Sequence, residues 1–153
     1  MIFLLMVLSF LPAQTAQEME ELLNNPAVSY EQAARIILKA ADQLNPSNQD
    51  GFYSREEAFR LTSDKKWLPK NAAGSAEASL EGISLLIMQS FGMKGGIFYS
   101  LFKNPHYAYR ELAYRDIIQG SMDPEMTVSG EMLLFLVSRV FSQTESSVTE
   151  SQS

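Results

Sequence analysis

Apolar residues along the chain recur at helical spacing, and the pattern restarts three times at one fixed interval. Val28-Ser29-Tyr30-Glu31, Ala78-Ser79-Leu80-Glu81 and Val128-Ser129-Gly130-Glu131 lie 50 residues apart, and each opens an apolar segment. The register persists further in. Ile36, Leu86 and Leu136 coincide, as do Ile37, Ile87 and Val137, then Ala41, Phe91 and Phe141. A second set recurs twice: Phe52 with Phe102, Ala58 with Ala108, Phe59 with Tyr109, Arg60 with Arg110, Trp67 with Ile117 and Leu68 with Ile118. Self-similarity of this length marks stacked supersecondary units, none of which buries its apolar face alone.

Ser29, Ser79 and Ser129 each stand just before an apolar helical pattern, where a hydroxyl can accept from an unpaired amide of the first turn. They are read as N-caps. Gln32 completes a capping box with Ser29, and Glu31, Glu81 and Glu131 place negative charge at the positive helix end. The pattern predicts capped helices over 29–44, 79–91 and 129–142. The last of these is apolar nearly all round, which suits a central place in the core. Amphipathic segments over 54–65, with Ser54 as cap, and 106–116 supply a second helix to each unit. Asn45-Pro46 and Gly92-Met93-Lys94-Gly95-Gly96 are helix stops and connectors. A short amphipathic helix over Glu18–Leu23 precedes Pro26, and the polar 143–153 tail is expected to be disordered. The expected organisation is thus an all-α helical repeat domain over 28–142, divided into 28–77, 78–127 and a half repeat 128–142, with a lead-in over 17–27.

Composition narrows the function. With 18 acidic against 12 basic side chains and a formal net charge of −6, the chain lacks the basic footprint of a nucleic-acid binder. It has no cysteine, which excludes disulfides, thiolate catalysis and cysteine-ligated zinc. Residues 1–16 carry no charge and hold an apolar run, Ile2 to Leu11, too short to span a bilayer. It reads as a signal peptide, with Ala13 and Ala16 at plausible cleavage points, and implies export to the periplasm or cell envelope. The alternative is a buried N-terminal helix.

No catalytic set can be assembled, so a non-enzyme is expected, with no cofactor and no metal. His106 is the only histidine and has no clustered acidic or thiol partner. Asn48-x-Asp50-Gly51, with Glu57 six residues beyond the glycine, looks like a calcium loop, but its first ligand position falls on Pro46; a helix connector is the stronger reading. Glu20-Glu21 and Glu56-Glu57 sit in first turns, where carboxylates offset the helix dipole. Arginine pairs with anionic groups and tyrosine stacks on sugar faces, which makes Arg60, Arg110, Tyr109 and Tyr114 the candidate ligand-binding residues. Packing between helices is the stronger role for these aromatics, and Trp67 follows the same logic.

The stretch Tyr107-Ala108-Tyr109-Arg110-Glu111-Leu112-Ala113-Tyr114-Arg115-Asp116-Ile117-Ile118-Gln119-Gly120, leading to Val128-Ser129-Gly130-Glu131, resembles the S-layer homology (SLH) domain family. The likeness extends over 28–142. It implies a pseudo-threefold domain around a central helix bundle, with two shorter flanking helices here, that anchors exported proteins to cell-wall polysaccharide or a peptidoglycan-associated component. The family's cap is commonly followed by an arginine that contributes to an anionic glycan site. Tyr30, Leu80 and Gly130 stand there instead, so an envelope scaffold or adaptor that has lost glycan binding and works through a partner protein is the alternative.

Overall fold

The three serine caps are formed. In a computed structural model that describes residues 16–44 and 53–150, Ser29 Oγ accepts from Gln32 N at 3.3 Å, Ser79 Oγ from Gly82 N at 3.1 Å and Ser129 Oγ from Met132 N at 3.1 Å. Gln32 answers by accepting from Ser29 N, so the predicted capping box is present. In chain order the helices are α1 (16–23), α2 (Tyr30–Leu44), α3 (Arg55–Asp64), α4 (Leu80–Ser90), α5 (Ile97–Phe102), α6 (Pro105–Tyr114) and α7 (Gly130–Glu150). Ser54 and Glu57 form a second capping box on α3, and Asn104 caps α6. No strand occurs among the described residues, only two isolated bridges, Ser29 with Glu77 and Ser79 with Thr127.

Those bridges belong to a closed ring. Val28 N donates to the Val128 carbonyl at 2.8 Å, Val128 N to the Ala78 carbonyl at 3.1 Å, and Ala78 N to the Val28 carbonyl at 2.8 Å. These three residues precede the three caps, and all are fully buried. Each amide and carbonyl is used once, so polar groups that would be costly if left unpaired tie the three repeats into one cycle. Outside the ring, Tyr30 N donates to Ala76 O, Leu80 N to Met126 O and Gly130 N to Asn25 O. Each segment before a capped helix therefore serves the start of another one, and the lead-in before α2 closes the circle on α7.

Packing follows the same plan: α3 lies on α2, α6 on α4, and α2 meets both α4 and α7. Phe91 and Phe141 meet edge to face, with centroids 5.9 Å apart, and join α4 to α7. The central helix is α4, in which every residue from Gly82 to Met88 is buried; the buried Ser84 hydroxyl donates to the Leu80 carbonyl at 2.7 Å. This corrects the expectation that the third capped helix is central. At the positions where α2 and α4 bury Leu38 and Met88, α7 carries an exposed Ser138, and where α4 buries Leu85, α7 has Phe135 at 56% exposure. Among the described residues no second helix covers that face of α7.

Position 30 of the repeat shows how the interfaces are fitted. Tyr30 reaches across to the next unit, where its hydroxyl lies 3.2 Å from Ser79 Oγ and accepts from Ser79 N at 3.3 Å. Gly82 leaves room for its ring. In the third copy the same position is Gly130, because α1 crosses there: a methyl on Gly130 would overlap the Leu22 carbonyl. Leu22 is buried, and Glu18 pairs with Arg35 at 2.6 Å to hold α1 on α2.

The tail departs from expectation, since α7 continues as helix to Glu150 instead of ending near 142. Its hydroxyls find acceptors on their own helix: Ser142 on Ser138 O, Thr144 on Val140 O, Ser146 on Ser142 O and Ser147 on Thr144 O. Gln143 Nε2 also donates to Arg115 O at 2.6 Å. The hydroxyl bonds to the helix's own carbonyls add little by themselves, whereas the Gln143 bond ties the extension to the end of α6, a tertiary contact that apolar content does not report. The calcium-loop-like stretch from Pro46 to Gly51 and all but the last residue of the proposed leader lie outside the described residues.

Candidate functional site

A groove of about 480 Å³ opens between α7 and the loop that follows α6. Two local features shape the loop. Asp116 adopts a left-handed conformation (φ 58°) just after α6, and the amides of Ile117 and Ile118 both return to the Leu112 carbonyl, at 3.0 and 3.1 Å. Tyr109 fixes the far side by donating its hydroxyl to Met122 O at 2.6 Å. The buried Ile117 and Ile118 line the groove from the loop, with Met132 and Leu136 from α7.

Arg139 occupies the polar side of this groove. It donates from Nη1 to Ile117 O at 2.8 Å and from Nη2 to Gln119 Oε1 at 2.9 Å, while its guanidinium carbon lies 4.3 Å from the Phe135 ring centroid. The cation is thus oriented by two acceptors and an aromatic face. Three of its five N–H donors remain uncommitted by these bonds, and no described ion pair neutralises it. An oriented guanidinium beside an exposed ring can receive a planar anionic group and stack a sugar or aliphatic face next to it. At the equivalent positions the other copies carry Arg35 and Lys39, or Leu85 and Gln89, so the pair is peculiar to the third unit.

The four residues singled out from sequence do not assemble into one site. Arg60 is exposed on α3, whereas Tyr109, Arg110 and Tyr114 lie on α6. Arg110 and Tyr114 are exposed one turn apart, with Tyr114 at 88%, and Tyr109 is engaged with the loop. None of the four lines the Arg139 groove. Trp67 is half-buried against the core under the Lys65 ammonium, and His106 is exposed with its ring edge-on to Tyr107. Phe135 and Arg139 went unnoticed in the sequence, although the signal was present: Arg139 is the lone charge between Met132 and Phe141, one helical turn beyond an aromatic.

Among the described residues no group of three or more histidine, aspartate or glutamate side chains could hold a metal ion. No described helix is long and apolar enough to cross a membrane. Searches against protein-family models, curated proteins and solved structures find no match.

The titration of Tyr99 is displaced. Burial, reinforced by the nearby Glu111 carboxylate, pushes the Tyr99 phenol up to about 12 from its ordinary value of 10.0. The unfolded chain therefore loses this proton first, and the stabilisation present below pH 10.0 disappears as the pH rises toward 12. Thermal midpoints measured across that window should fall more steeply for the native chain than for Tyr99→Phe; parallel slopes would show that Tyr99 is not the group responsible.

Proposed function

We propose that the protein is a non-catalytic, exported SLH-like module that binds an anionic cell-wall glycan, with Phe135, Arg139 and Gln119 at the contact. The observation that carries this reading is the Arg139 guanidinium, oriented by Ile117 O and Gln119 Oε1 and stacked on Phe135 in an open groove that Glu131 also lines. The closed ring of Val28, Ala78 and Val128 supports an SLH-like arrangement, since a pseudo-threefold bundle is what the resemblance implies. The apolar leader supports export to the periplasm or cell envelope.

A second reading, an envelope adaptor that holds a partner protein, is favoured by the apolar lining of the same groove, where Met122, Met132 and Leu136 surround the arginine. Co-sedimentation with purified cell-wall sacculi separates the two. The mature protein should pellet at low salt, and Arg139→Ala or Phe135→Ala should reduce the bound fraction roughly tenfold, the loss expected for a charge-assisted contact or a stacking face. Failure of the unsubstituted protein to pellet would overturn glycan binding. Retention of an envelope protein that is lost with Phe135→Ala would establish the adaptor.

A further inference from the structure

α5 turns its apolar side chains outward. Ile97, Phe98, Leu101 and Phe102 are each between 59% and 78% exposed, and their spacing places them on one side of a helical turn. Their exposure is fixed by the fold. Tyr99 is buried on the opposite side, Gly96 N donates to Glu111 Oε1 at 2.7 Å, and the Arg115 guanidinium donates to the Lys94 carbonyl. Tyr107 stacks with both Phe98 and Phe102, at centroid distances of 5.7 and 5.6 Å. Four large apolar side chains held together in water mark a surface that gains free energy by entering an apolar phase.

Charge selects the phase. The chain is acidic overall, yet five of its six lysines fall between positions 65 and 103. Lys66, Lys70 and Lys103 line one cavity of about 610 Å³ with Phe102 in its wall, and no acidic residue lines it. None of the described ion pairs engages these lysines. A soluble polyanion would use the cations and leave the α5 face in water; a bilayer interface accommodates both at adjacent depths. We propose that α5 and the adjoining lysine-lined cavity form a docking surface for an anionic lipid bilayer, with Ile97, Phe98, Leu101 and Phe102 entering the acyl boundary and Lys66, Lys70 and Lys103 meeting headgroup phosphates. This surface is separate from the Arg139 groove and does not depend on glycan binding.

Flotation of the full chain with vesicles of phosphatidylcholine and phosphatidylglycerol, against vesicles of phosphatidylcholine alone, tests it. Binding to the mixed vesicles should fall at least tenfold in Ile97→Asp/Leu101→Asp, side chains that lie outside the aromatic stack. It should fall by at least about fivefold per position in Lys66→Glu and Lys103→Glu, the loss expected for removal of one positive charge. Circular dichroism should show unchanged helix content in all of them, because every substituted side chain is exposed. The apolar leader is common to all variants, and its contribution, read from flotation with phosphatidylcholine alone, is subtracted from each before the comparison. Equal flotation of the parent and Ile97→Asp/Leu101→Asp, or equal binding to both vesicle types, would overturn the proposal. So would capture of a soluble envelope protein through this face with no vesicle binding.

Discussion

Gly130→Ala should lower the free energy of unfolding by about 3 kcal/mol, the upper part of the usual cost of overfilling a packed site. Two effects oppose each other. Alanine restricts the unfolded chain and favours helix, a gain of at most about 1 kcal/mol. Against this, the new methyl would overlap the backbone carbonyl of Leu22, which cannot swing aside as a side-chain tip can. Relief requires α1 to lift from the start of α7, and that would also draw Asn25 O away from Gly130 N, now 2.9 Å apart, and expose the buried Leu22. Urea denaturation should show an earlier midpoint, and proteolysis near residues 16–25 should accelerate. A cost below about 0.5 kcal/mol would mean that α1 is not part of the cooperative unit. Ala in place of Gly82 is a milder relative, because the obstacle there is the Tyr30 side chain.

The contrast between positions 30, 80 and 130 shows what sequence could and could not reveal. The register of 50 residues was legible because the caps and buried positions repeat without a gap, and α3 and α6 obey it end to end: Arg55 and Asp64 fall on Pro105 and Tyr114. Gly130 looked like an unremarkable departure from Tyr30 and Leu80, since nothing local announces that α1 crosses there. The depth of burial was likewise misplaced. Leu133 to Val137 are as apolar as Ile83 to Ile87, but burial depends on neighbours, and α4 has flanking helices where α7 exposes Phe135 and Ser138. α5 was missed because six residues with outward-facing apolar groups carry neither helical periodicity of useful length nor a side-chain cap. The Arg139 groove is a tertiary object, made when the Ile117 carbonyl and Gln119 fold back onto α7, 22 and 20 residues away in sequence. Pairing Arg110 with Tyr114 at helical spacing found a real surface face, but neither residue lines the Arg139 groove.

Ala78→Pro should be more damaging still, by about 4 kcal/mol. The substitution deletes the N–H that donates to the Val28 carbonyl, leaving that carbonyl buried without its partner at a cost of about 1–3 kcal/mol. The pyrrolidine ring must also fit where Ala78 is fully buried within the hydrogen-bonded ring, and the comparable penalty for proline in regular backbone is about 3 kcal/mol. Fixing φ in the unfolded chain returns less than about 1 kcal/mol. The damage should spread, because Val28 N and Val128 N belong to the same closed circuit and the three cap serines follow it directly. In the unsubstituted protein, hydrogen exchange should therefore place the amides of Val28, Ala78 and Val128 among the slowest, exchanging only through global unfolding. Rapid exchange at any one of them would show that the ring opens locally. The three units would then be held by side-chain packing and by the outer bonds from Tyr30 N, Leu80 N and Gly130 N, and the cost of Ala78→Pro would shrink toward the steric share set by the burial of Ala78.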